Sequence, residues 1–106
     1  MSVNRLEKDG KVAVLYSPEY GAGWSSWNDE PEFYGLIFDR EIAEKVLAGD
    51  RDGAADVAER KYPGVLVLGA RDLEVEWLPI GTRFEISEYD GYETVVVITH
   101  DYGFIA

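Results

Sequence analysis

Cysteine is absent from this 106-residue chain, which removes disulfide frameworks and thiolate zinc sites from consideration. No stretch approaches the roughly 18 apolar residues of a membrane span. The opening residues 1–9 lack the apolar run of a secretory signal, so a cytoplasmic protein free of the membrane is expected. Positive charge is scarce: ten Lys and Arg stand against 21 Asp and Glu, a net charge of −11. Such a surface repels nucleic acid and anionic lipid. It suits solubility, or attraction to a basic protein surface, including one built to hold DNA or RNA. What remains is enough for one core: 46% of residues are hydrophobic and 13% aromatic, which excludes disorder and fits a single domain over residues 1–106.

Along the chain, Asp9-Gly10 turns into a first strand at residues 11–17. It is apolar on both faces, as a central strand is. Pro18 ends it, having no N–H to give a ladder. The apolar run at residues 33–38 reads as a second strand. Asp39 is a good N-cap for a helix over residues 40–48. There Ile42, Ala43, Val46 and Leu47 form an inner face and Glu41, Glu44 and Lys45 an outer one. Gly49 stops this helix. Asp50 or Asp52 opens another through Lys61, and its alanine-rich face predicts a helical hairpin. Short strands follow at residues 65–68 and 73–77, the second alternating strictly. Strands at residues 82–89 and 92–99 flank Asp90-Gly91, the strongest hairpin signal in the chain. A two-residue turn sets Ile86 opposite Val95 and Phe84 opposite Val97. The fold expected is α+β: a mainly antiparallel sheet of five to six strands, with a helical hairpin inserted after strand 2 and gathered on one side.

The most distinctive stretch is residues 17–28, Ser-Pro-Glu-Tyr-Gly-Ala-Gly-Trp-Ser-Ser-Trp-Asn. A connector between strands is ordinarily short and polar. This one carries two tryptophans, two glycines and three serines. Glycines leave backbone N–H groups open to an anion, and indoles stack on flat rings. A site for a small polar or nucleotide-like ligand is therefore expected from Tyr20, Gly21, Gly23, Trp24, Ser25, Trp27 and Asn28. Arg83, one of few cations outside the helices, is the candidate for a supporting charge. The competing reading makes Trp24 and Trp27 a cap on the open end of the core. Exposed aromatics would also suit a homo-oligomer contact.

At this loop the sequence resembles a group of small proteins encoded in bacteriophages and prophages. The likeness lies in Val12-Ala13-Val14-Leu15-Tyr16-Ser17-Pro18 running into Tyr20-Gly21-Ala22-Gly23-Trp24 and Trp27-Asn28. It continues through Phe38-Asp39, through Leu73-Glu74-Val75-Glu76-Trp77 and through Gly81-Thr82-Arg83-Phe84. The resemblance implies a phage setting and interference with a host enzyme or defence; it brings no residue role.

Enzymatic chemistry finds little footing. His100, the single histidine, could pair with Asp101 as an oriented base, yet no serine sits in a nucleophile elbow. Asp50, Asp52 and Asp56 lack the spacing of a calcium loop. Glu74 and Glu76 share the outward face of a strand, and Glu85, Glu88, Asp90 and Glu93 are expected to decorate the sheet. No cofactor and no metal are expected. Two functions stand: a non-enzymatic protein that captures a small ligand at the aromatic loop, or an acidic inhibitor that binds a basic, nucleic-acid-handling host protein.

Overall fold

The computed structural model describes residues 5–19, 23–28, 30–67, 69–99 and 103–106. Two Asp-Gly turns build its hairpins. Asp9 and Gly10 both take positive φ, 53° and 76°, and join β1 (Glu7–Lys8) to β2 (Lys11–Tyr16). This mirror-image turn matches the twist of paired strands and needs residues that tolerate the left-handed region. Asp90 and Gly91 do the same, at 49° and 85°, for β4 (Arg83–Tyr89) and β5 (Tyr92–Val97).

Rather than one sheet, the strands form two three-stranded antiparallel sheets. β3 (Glu74–Pro79) completes the first, in the order β1-β2-β3. β6 (Phe104–Ile105) completes the second, in the order β5-β4-β6. The central strand β2 explains the division. Val12, Ala13, Val14 and Leu15 are all fully buried, and side chains alternate across a strand. Ala13 and Leu15, opposite Trp77 and Val75, join the core beneath the helices. Val12 and Val14 join a second core with Leu78, Ile37, Phe38, Phe84 and Ala106. A strand that is apolar on both faces needs a cover on both faces. The turn at Ile80-Gly81, with Gly81 at φ 93°, starts β4 on the uncovered side. The layers are helices, first sheet, second sheet.

The hairpin register is the expected one, with Ile86 opposite Val95 and Phe84 opposite Val97. Phe84 is fully buried, whereas Val97, on the edge strand β5, is 59% exposed.

The helices are α1 (Arg40–Leu47) and α2 (Arg51–Lys61). Each starts on an aspartate whose side chain accepts a backbone N–H: Asp39 from Ile42 at 3.0 Å, Asp50 from Gly53 at 2.9 Å. Gly49 takes φ 76° between them. Ala54, Ala55 and Ala58 are fully buried, which lets α2 lie close to α1 and to the 3-10 turn Ala70–Asp72, while α1 lies over β2 and β3. No helix among the described residues is long and apolar enough to cross a membrane.

Three expectations are corrected. Residues 31–37 form a 3-10 helix, Pro31–Ile37, not a strand. Proline is harmless at a first helical position, and a short apolar run does not itself distinguish strand from helix. The helix turns round the edge of the first sheet, delivering Phe33 and Leu36 to one core and Ile37 and Phe38 to the other. Residues 65–67 are in no strand; Asn28 supplies their pairing, as described below. Residue 68 lies outside the described residues. β3 runs two residues beyond Trp77, to Pro79, a proline that an edge strand tolerates.

Asp39 ties the hairpin together. It is 3% exposed. Besides capping α1, it accepts the Tyr62 hydroxyl at 2.7 Å and pairs with Lys61 at 2.8 Å, both from the end of α2. Burial first, then the Asp39 contact, pushes the Tyr62 phenol well above its ordinary value of 10.0. The folded phenol ionises later than the unfolded one, so its contribution is complete below pH 10.0 and is lost as pH climbs above that value. Asp39→Ala is expected to lower the unfolding free energy by about 3 kcal/mol. It should also move the Tyr62 titration partway back toward the ordinary value, read by alkaline absorbance against Tyr62→Phe.

Candidate functional site

The loop after β2 is organised around a residue on the far hairpin. Glu93, near the start of β5, is 1% exposed. One carboxylate oxygen accepts the Ser17 N–H at 2.9 Å. The other accepts the N–H of Trp24 at 2.8 Å, the N–H of Ser26 at 3.0 Å and the Ser26 hydroxyl. Glu93 returns its own N–H to the Ser17 carbonyl at 2.8 Å. An ionised carboxylate is an acceptor only, and four donors converge on this one. Backbone N–H groups aimed at one point form the concavity that elsewhere holds a phosphate or sulfate. Here the anion is the protein's own.

The remaining polar groups of the loop are directed inward as well. Trp24 is fully buried, with its indole N–H donating to the Leu36 carbonyl at 3.2 Å. Trp24 therefore belongs to the core, and the stacking role expected of it is corrected on that ground. Asn28 is 4% exposed. Its amide donates to the carbonyls of Trp24 and Leu66, at 2.9 and 3.1 Å, and accepts the Leu66 N–H at 2.8 Å. That side chain imitates a strand partner for residues 65–67 and has no group to spare for a ligand. Gly23 is buried because the Trp27 ring lies against it; a Cβ there would sit 2.6 Å from the ring.

Ser25 and Trp27 are half-buried in the 3-10 turn Ser25–Trp27. The Trp27 indole N–H donates to Glu88 at 3.3 Å. Arg83 is not brought to the loop. It stands five positions from Glu88 along β4, roughly 16 Å at strand spacing, and its side chain points to the other face of the sheet. Tyr20 and Gly21 lie outside the described residues, as do His100 and Asp101. Among the described residues no buried side-chain nitrogen or oxygen lacks a hydrogen-bond partner, and no cluster of His, Asp and Glu could hold a metal ion.

Glu93 is the residue that the loop's composition does not reveal, and with it the part played by the Ser17 backbone. A signal for Glu93 exists. Counting from Asp90-Gly91, position 93 falls on the same face as Val95 and Phe84. A carboxylate on an apolar face must be met by donors, and the glycine-serine loop is the richest source of them. Glu93 thus leaves the set of acids expected to decorate the sheet.

Charge is segregated along the chain. Residues 40–71 carry six cations and six acids. On this helical side the charges pair: Arg40 with Glu44, Lys45 with Asp50, Arg60 and Lys61 with Glu41, Arg71 with Asp52. Residues 12–39 hold five acids and no cation, and residues 72–106 hold eight acids against Arg83 alone. The excess negative charge belongs to the loop and the sheets. Tyr16 senses it: burial, then Glu74 and Glu76 nearby, raises its phenol above the ordinary value.

The fold and loop define an α+β protein of two three-stranded sheets with an internally occupied anion cradle. Comparison with protein-family models, with curated proteins and with solved structures finds no match.

Because the Trp27 ring occupies the space over Gly23, Gly23→Ala is expected to displace the ring and cost about 1–3 kcal/mol. Chemical unfolding measures the loss. The indole resonance of Trp27 should shift while that of Trp24 stays in place.

Proposed function

We propose that the protein acts without catalysis, as an acidic binding module that docks a basic protein surface through its sheet side. The single observation that carries this reading is the segregated charge. On the helical side six cations balance six acids over residues 40–71, and four of those acids are held in ion pairs. By contrast Glu74, Glu76, Glu88 and Asp90 stand exposed on the strands and their turn, and none of them has an ion-pair partner among the described residues. If acidity served solubility alone, no such division would be required. Complementary charge steers association and selects partners more than it sets affinity. Tyr89, 71% exposed at the hairpin tip, adds an aromatic of the kind that anchors protein interfaces. The acidic charge suits a nucleic-acid-handling protein as the partner class, since such a protein already presents cations.

Capture of a nucleotide-like ligand by the loop is the weaker alternative. Its donors are spent on Glu93 and one of its two indoles is interior.

Polylysine serves as the probe, followed by calorimetry at low and physiological salt. Glu74→Gln with Glu76→Gln and Asp90→Asn is compared with Glu44→Gln, Asp56→Asn and Glu59→Gln on the helices, an equal change of charge. The sheet-side set is expected to weaken binding about tenfold and the helical set about threefold or less, with both effects shrinking as salt screens them. Equal losses from the two sets would mean that net charge alone matters, and the reading fails.

A further inference from the structure

The turn between β1 and β2 holds a pairing that stability does not explain. Its register puts Lys8 directly opposite Lys11. Like charges in that position destabilise a strand pair. The chain has 21 acids from which to draw a partner. Yet the ion pairs among the described residues engage Arg5, Arg40, Lys45, Arg60, Lys61 and Arg71, and neither of these lysines. The two lysines occupy directly opposed positions in the one segment with a positive balance, residues 1–11, which has three cations and two acids.

An indole stands beside them. Trp77 pairs with Ala13 and Pro79 with Lys11, so Trp77 shares the Lys11 face of the first sheet. It is half-buried. Lys8, Asp9, Lys11 and Trp77 together line an open groove of about 280 Å³. That volume falls at the small end of ligand sites, below what a dinucleotide needs.

We propose that this groove binds a planar aromatic anion of the nucleoside monophosphate class. The Trp77 ring offers a stacking surface that accepts any flat base. Lys8 and Lys11 offer two point charges to one phosphate, and the facing arrangement that costs stability in the free protein becomes favourable once an anion lies between them. Asp9 offers an acceptor for a ribose hydroxyl. The overall charge of −11 does not forbid this. Exposed charges more than about 8 Å away are screened at physiological salt, so the local lysine pair governs. Trp77 shares β3 with Glu74 and Glu76, which the alternation of the strand turns to the opposite face, so the two proposals stand or fall separately.

In a purely structural alternative the lysine stems only cover the Trp77 ring. The two are separated by titrating the protein with adenosine 5′-monophosphate, adenosine and inorganic phosphate, following indole N–H resonances and using Trp77→Phe to assign the responding ring. The nucleotide should bind about tenfold more tightly than either fragment and should shift Trp77. Lys8→Gln and Lys11→Gln, at exposed positions, should each weaken the nucleotide about tenfold, the size expected for one charged hydrogen bond, and leave adenosine unchanged. No saturable nucleotide binding, binding no tighter than that of phosphate, a response centred on Trp27, or insensitivity to both lysine changes would overturn the proposal.

Discussion

One buried carboxylate holds the chain's separate parts in register. Glu93 is the second residue of β5, and the groups it binds come from just after β2 and from the loop that follows, about seventy residues earlier. Sheet two is joined to sheet one along the chain only by the turn at Ile80-Gly81, and the Glu93 contacts fasten them at the opposite end. An anion removed from water needs several well-aimed donors to offset its desolvation. The loop's composition follows from that requirement. Gly23 leaves room for the Trp27 ring, Ser26 contributes a hydroxyl, and Trp24 carries its ring into the core, where its N–H meets Leu36. A sequence that looks built to seize a ligand is built to seize a residue of the same chain.

A cradle satisfied from within alters where partners are to be sought. Small anions would have to displace a covalently tethered competitor at high effective concentration. Surfaces remain, and their charge is unevenly laid out. The helical hairpin cancels itself through pairs that are mostly exposed, each contributing little to stability. On the strands Glu74, Glu76, Glu88 and Asp90 have no ion-pair partner among the described residues, and burial, then Glu74 and Glu76, raises the Tyr16 phenol. At the far end of β2 the sign reverses locally, over two lysines and an indole. The protein therefore presents two electrostatically distinct ends of one sheet.

Much of this architecture is legible from residues with strong local rules. Both Asp-Gly turns, both aspartate caps and the register of β4 with β5 follow from short-range chemistry. The burial of β2 on both faces follows from its unbroken apolar run. What fails to show is settled at long range. Residues 33–37 become a 3-10 helix because two cores, not one, compete for their side chains. Residues 65–67 lose their strand because Asn28, remote in sequence, takes the partner's place. The loop is legible as unusual, and its donors as anion-seeking. That the anion is Glu93 emerges only when the hairpin register is combined with the loop's chemistry, since neither segment alone specifies the other.

The most direct measurement is the stability and the indole accessibility of Glu93→Gln, in a background where Trp27 and Trp77 are phenylalanine so that Trp24 alone reports. Glutamine keeps the size of the side chain but turns an amide donor toward the loop's N–H groups. The account predicts an unfolding free energy lowered by about 3 kcal/mol or more and a Trp24 ring newly open to acrylamide. A variant as stable as its parent, to within about 0.5 kcal/mol, with Trp24 still shielded, would contradict it.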